Sequence, residues 1–229
     1  MTNYTLPENF DWPVGAHLDK EGIWCQILPT APMVFDHGPA LFLDRDGVIV
    51  EEVHYLHRVE DVRVAVGAVD LIRTANDRRI PIVVVTNQAG IGRGLYDWTH
   101  FATVQQHILS ELTSSGVHVN AVFACPFHRT GSPPWVHPDH PARKPNPGMV
   151  LRGLDAFPIQ ADQSWIIGDR AGDMGAGLNA GLAGGVHLLC GHGSADGERV
   201  QALAVANPNY AVVGADDLRN ATRHIPFLR

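Results

Sequence analysis

From residue 40 onward the chain alternates short, continuous apolar runs with stretches of helical spacing, and this rhythm constrains the fold more than any other feature. The apolar runs are ALFLD (40–44), IPIVVVTN (80–87), VNAVFAC (119–125), SWIIGD (164–169), GVHLL (185–189) and a late YAVVG (210–214). Between them lie AVDLIRTANDRR, HFATVQQHILSELTSSG, PGMVLRGLDAF and MGAGLNAGL, with apolar residues three or four apart. Runs that are apolar at every position are buried on both faces, which predicts a parallel sheet covered by helices on both sides. Right-handed crossovers then give an α/β fold, a doubly wound, mostly parallel, Rossmann-like sheet that binds ligands at the carboxyl ends of its strands.

Charge begins where those strands end. LFLDRDGVIV sets Asp44, Arg45 and Asp46 between two apolar stretches, where uncompensated burial is costly. Thr86-Asn87 and Asp169 end two further runs, so polar residues converge on one edge of the sheet. Asp44 and Asp169 can offer oxygens to a hard cation such as Mg2+. A carboxylate there can attack a phosphate ester and form an aspartyl-phosphate. Asp46 can protonate the departing oxygen and later deprotonate the attacking water, and Gly47 permits a tight turn beside it. Thr86 and Asn87 offer a hydroxyl and an amide to phosphoryl oxygens, and the glycine-rich QAGIGRG (88–94) can bring backbone N–H groups to an anion. Lys20 and Lys144 are the only lysines among 17 basic residues, so Lys144, next to Arg143, reads as a deliberate point charge. Asp173, four residues after Asp169, either supports the metal site or caps the helix starting near Met174.

The formal charge of −7 over 229 residues argues against a broad basic footprint for nucleic acid or an anionic membrane. Three scattered cysteines (Cys25, Cys125, Cys190) suggest a reducing compartment. The start, MTNYTLPENFDW, lacks the pattern of a signal peptide, and no apolar run reaches the length of a membrane span. A cytoplasmic protein is therefore expected. Residues 1–39, rich in Pro and aromatics (Phe10, Trp12, Trp24, Pro29, Pro32), read as an extended N-terminal arm lying on the 40–229 domain or on a partner subunit.

In order along the chain, DRDG (44–47), VVVTN (83–87), Lys144 and GDRAGD (168–173) resemble the four motifs of the haloacid dehalogenase (HAD) superfamily of phosphatases. The resemblance implies Asp44 as nucleophile and Asp46 as general acid/base. It also implies Mg2+ held by Asp44, the Asp46 carbonyl and Asp169, with the phosphoryl group held by Thr86 and Lys144. FLDRDGVI, TNQAGIGRG and RKPNPGM are most similar to the D-glycero-D-manno-heptose 1,7-bisphosphate phosphatases and the related histidinol-phosphatases. The short segments 48–66 and 95–117 leave no room for a large cap domain, so a capless site is expected. By the same resemblance Arg45, Glu52, Tyr55, Asn87, Gln88, Arg143 and Arg170 contact the substrate.

The implied activity is Mg2+-dependent hydrolysis of a small phosphorylated metabolite, foremost a heptose bisphosphate, by a monomer or small homo-oligomer with no nucleic-acid or membrane partner. Histidinol phosphate is the nearest competing substrate, although no dehydratase domain accompanies this chain. A DNA 3′-phosphatase shares TNQxGIGRG but needs a basic approach. A non-catalytic phosphate-binding regulator is the alternative of another class, and such proteins commonly lose one of the acids that this chain keeps. The subfamily usually has a structural zinc loop before RKP. Here CPFHRTGSPPWVHPDHPARKP (125–145) departs from its ligand spacing. Cys125, His128, His137 and His140 could still supply four N/S ligands for Zn2+, but a metal-free loop stiffened by prolines fits the departures better.

Overall fold

The computed structural model describes residues 4–29 and 37–229. Each strand expected after residue 40 is present: β3 (Leu41–Leu43), β4 (Ile82–Asn87), β5 (Ala121–Cys125), β6 (Trp165–Gly168), β7 (Gly184–Leu188) and β8 (Ala211–Ala215). Two further strands precede them, β1 (Ala16–Leu18) and β2 (Trp24–Ile27). All eight form one sheet in the order β1-β2-β5-β4-β3-β6-β7-β8. The six from β5 to β8 in that order are parallel, whereas β1 and β2 run antiparallel at one edge.

Side chains alternate across this sheet with the two-residue period of a strand. Leu41, Leu43, Val84 and Val122 face one core, which helices α1 (Ala68–Asp77), α3 (Trp98–Ser114) and α7 (Leu218–Thr222) cover. Phe42, Val83, Val85 and Phe123 face the other, under α4 (Gly148–Ala156), α5 (Ala171–Asn179) and α6 (Glu198–Leu203). Each helix buries the stripe that its spacing announces: Ala68, Leu71, Ile72 and Ala75 in α1, and Phe101, Val104, Ile108 and Leu112 in α3. Asp97 caps α3 by accepting the Thr99 and His100 N–H groups. Among the described residues no additional cap domain stands over the strand ends. Among the described residues no helix is long and apolar enough to cross a membrane.

Part of the N-terminal segment lies in the sheet. Residues 24–27 pair with β5, and Trp24 is fully buried, stacked on Trp98 and edge-on to Phe101. Arg152 of α4 ties the β1–β2 turn down through Asp19 and Glu21, at 2.6 Å each. This region is therefore the antiparallel edge of the sheet. Pro32 lies outside the described residues.

Candidate active site

Adjacent strands β4, β3 and β6 end on the same side of the sheet, and the residues at their ends open into one cavity of about 500 Å³. At its floor lies Asp44, directly after β3. Lys144 enters from the segment before α4, where its Nζ sits 2.9 Å from Asp44 Oδ1 and 2.6 Å from Asp173 Oδ1 and donates to the Val85 carbonyl at 2.8 Å. Asn87 clamps that segment. Its Nδ2 donates to the Lys144 carbonyl at 3.2 Å, and its Oδ1 accepts the Lys144 N–H at 3.1 Å. The amide expected to face a phosphoryl group thus holds the lysine's backbone instead. Asp173 combines two roles: one oxygen accepts the Arg170 N–H at 3.0 Å and caps α5, while the other faces Lys144.

Buried carboxylates Asp44, Asp169 and Asp173 bring oxygens within 4.8 Å of one another. Burial is the main force raising the Asp44 and Asp169 carboxyls above the usual range, and neighbouring acids push the same way; at Asp44, Lys144 opposes it. With all three acids ionised, Lys144 balances one of them and two negative charges are left for a cation. Asp169 Oδ2 accepts the His192 N–H at 2.8 Å, but Asp169 Oδ1 is buried without a hydrogen-bond partner. Surplus charge and an orphaned oxygen among hard oxygen donors fit a divalent cation such as Mg2+. Two glycines make the approach possible: a Cβ at Gly47 (φ +80°) or Gly191 (φ +50°) would lie 2.3 or 2.4 Å from Asp169 Oδ2.

Asp46 sits on the cavity wall. The buried Arg45 donates to its Oδ1 from Nε at 3.0 Å and from Nη2 at 2.9 Å. Gln88 Nε2 donates to Asp46 Oδ2 at 3.0 Å, and the Thr86 hydroxyl lies 3.5 Å from the same atom. Arg45, expected on the substrate, is therefore turned to Asp46. The glycine run after β4 winds into a short helix, α2 (Ala89–Gly92), rather than an open anion cradle.

All twelve residues singled out from the sequence line this one cavity: Asp44, Arg45, Asp46, Glu52, Tyr55, Thr86, Asn87, Gln88, Arg143, Lys144, Asp169 and Arg170. Sequence reading missed Arg93, Tyr96 and His192 and gave His128 only a zinc-ligand role; all four line the cavity too. Arg93 was visible within GIGRG, and His128 in the displaced CPFH. Arg93 reaches the Tyr55 hydroxyl and lies 3.2 Å from His128 Nε2. Arg143 donates to the Phe127 carbonyl at 3.0 Å. Its pKa is lowered by burial, and nearby Arg93, Arg170 and Arg129 push the same way. Among the described residues, Arg93, Arg143 and Arg170 have no carboxylate within 4.0 Å.

The zinc loop is not assembled. Among the described residues the one group of three or more metal-ligating side chains is the aspartate cluster, so Cys125, His128, His137 and His140 do not converge. Burial pushes the Cys125 thiol up to about 12. His140 instead stacks flat on Phe127 at 3.9 Å, with Trp135 edge-on to that ring at 5.5 Å. Aromatic packing shapes the segment that carries Arg143.

A buried aspartate–lysine cluster at the strand ends of a doubly wound sheet defines a phosphohydrolase. Comparison with known proteins agrees. A family model described as HAD-hydrolase-like matches residues 141–221. A D-glycero-β-D-manno-heptose-1,7-bisphosphate 7-phosphatase of Mesorhizobium japonicum is 43% identical over 169 residues, covering 73% of this chain and 77% of that one. The corresponding α-heptose enzyme of Photorhabdus laumondii is 34% identical over 151 residues, covering 66% and 82%. The crystal structure of a HAD-like phosphatase from Mesorhizobium loti superposes with a TM-score of 0.81 at 35% identity, over 92% of this chain and 95% of that one. The chain belongs to the HAD superfamily of phosphatases, in the group of the D-glycero-D-manno-heptose-1,7-bisphosphate 7-phosphatases.

Proposed function

We propose that this enzyme removes one phosphate from a heptose 1,7-bisphosphate while cations at the cavity rim hold the other. The observation that carries this reading is the pairing, within one cavity, of a buried acid–lysine floor with three arginines that, among the described residues, have no carboxylate within 4.0 Å. Two separate anion-accepting regions suit a substrate with two phosphates. Histidinol phosphate carries an ammonium group, which the rim would repel. The 43% identical relative is named for the β anomer, which supports a β-heptose substrate. Free cysteines and a sugar-phosphate substrate support a cytoplasmic location.

In the first step an Asp44 carboxylate oxygen attacks phosphorus while the ester P–O bond breaks, and the sugar oxygen takes the proton of Asp46. Lys144 and Thr86 hold the phosphoryl oxygens, and Asp173 keeps Lys144 in place. In the second step Asp46 takes a proton from water, whose oxygen attacks phosphorus. The bond from phosphorus to Asp44 breaks, releasing inorganic phosphate and restoring both aspartates. Asp44, Asp169 and the Asp46 carbonyl would hold Mg2+, which when bound supplies the positive charge that lets an anionic ester approach a carboxylate.

Phosphate release should be measured from α- and β-heptose bisphosphates, heptose monophosphates, histidinol phosphate and a 3′-phosphorylated oligonucleotide. The expected order puts the β-bisphosphate first in kcat/KM, with activity lost in chelator. Equal turnover of the oligonucleotide, or full activity in chelator, would overturn this reading.

A further inference from the structure

We propose that Tyr96 is a positioning residue for leaving-group protonation: its hydroxyl fixes the Gln88 amide, and Gln88 in turn fixes the Asp46 carboxyl. The proposal rests on the reading of Asp46 as the general acid.

The hydroxyl of Tyr96 donates to Gln88 Oε1 at 2.5 Å, and Gln88 Nε2 donates to Asp46 Oδ2 at 3.0 Å and to Thr86 Oγ1 at 2.8 Å. Partner chemistry sets this orientation. Asp46 as a carboxylate only accepts, and Arg45, whose Nη2 is 3.4 Å from Gln88 Oε1, only donates. Gln88 is 2% exposed and Tyr96 7%, so water does not readily replace either bond. Burial holds the Tyr96 phenol well above its ordinary range, which keeps it a donor.

Arg45 and Gln88 hold Asp46 by different means. The Arg45 ion pair depends on the acid being ionised, yet the acid must carry a proton when the ester bond breaks. Gln88 is neutral, so its bond to Asp46 survives protonation. Arg45 still donates to a neutral carboxyl but without the charge pair, so Gln88, anchored by Tyr96, takes a larger share in orienting the reactive, protonated form.

The glycine run gains a physical reason from this arrangement. A Cβ at Gly90 would sit 2.0 Å from Tyr96 Cε1, so glycine there is what lets the ring reach Gln88. His57 stacks on the ring, with centroids 5.6 Å apart and planes 8° apart. Tyr96 thus packs against Gly90 and His57, with its hydroxyl on Gln88 Oε1.

The test compares an alkyl phosphate, whose alkoxide needs a proton to leave, with p-nitrophenyl phosphate, whose phenolate does not. The quantity is kcat/KM, which reports only steps up to departure of the leaving group. Tyr96→Phe should lower it about tenfold or more for the alkyl ester, a share of the ~10²–10⁴-fold that general acid catalysis supplies. For the nitrophenyl ester the change should stay within about twofold. Gly90→Ala, which displaces the ring but keeps the hydroxyl, should show the same selectivity. Asp46→Asn is the reference. Equal loss on both esters in Asp46→Asn removes the general-acid reading itself. A selective loss in Asp46→Asn, with none in Tyr96→Phe and Gly90→Ala, removes only the proposal for Tyr96.

Discussion

At the floor of the cavity Lys144 is 6% exposed and lies against two carboxylates and a carbonyl. At the rim Arg93 and Arg143 meet a phenol hydroxyl, a carbonyl and the uncharged ring of His128, and among the described residues neither arginine has a carboxylate within 4.0 Å. The floor is assembled from strand ends and held by reciprocal charge, so it can perform one reaction in one geometry. The rim is assembled from connecting segments and keeps unbalanced positive charge, which suits choosing among anionic substrates. If the proposed function holds, chemistry and selection are placed on different structural supports, and substitutions should separate them.

Asp44→Asn tests the floor with the largest effect. It should reduce kcat by at least ~10³-fold for every phosphate ester, in steady-state assays across the substrate panel. Lys144→Met leaves Asp44 and Asp173 buried without their counter-charge. In metal-free buffer this should cost about 3–5 kcal/mol of stability, read from denaturant unfolding, and added Mg2+ should restore part of it. Arg143→Gln probes the rim. KM for the bisphosphate should rise roughly tenfold, the cost of losing about one charged hydrogen bond, while p-nitrophenyl phosphate should be almost unaffected. Equal effects on both substrates would erase the distinction between floor and rim.

The smallest effect concerns the segment that supports the rim. Burial pushes His140 down to about 4 from 6.5. Between those values the unfolded chain binds a proton that the folded chain refuses, so stability is full above about pH 6.5 and falls as pH drops toward 4. His140→Phe should flatten that slope in melting curves taken from pH 7 to pH 4.5.

How much the sequence disclosed follows the same division. β3 to β8 were legible because sheets covered on both faces require unbroken apolar runs, and the floor was legible because its acids follow those runs directly. The sequence resemblance extended this to Lys144, which reaches Asp44 from a hundred residues away. β1 and β2 were not legible. They have three and four residues, and Trp24 is buried by pairing with β5 and by packing on α3 and Trp12. Arg93 and His128 are 35 positions apart and meet only once both connecting segments are packed. The glycines of GIGRG suggested an anion cradle, yet Gly90 answers to the Tyr96 ring and Gly92 to the Pro126 carbonyl, whose oxygen would lie 2.2 Å from a Cβ at that position. Local spacing cannot announce such contacts. The zinc-loop departures, by contrast, were readable as such, but the stacking of His140 on Phe127 that accompanies them was not.

The most direct test of Asp44 as nucleophile uses Asp46→Asn with p-nitrophenyl phosphate and Mg2+, quenched in acid and digested for mass spectrometry. This ester leaves without an acid, but the second step lacks its base, so the covalent intermediate should accumulate. One phosphoryl group on the peptide containing Asp44, matched in amount to a burst of nitrophenol, is the predicted result. A nitrophenol burst with that peptide unmodified, or with the phosphoryl group on another residue, would contradict the account.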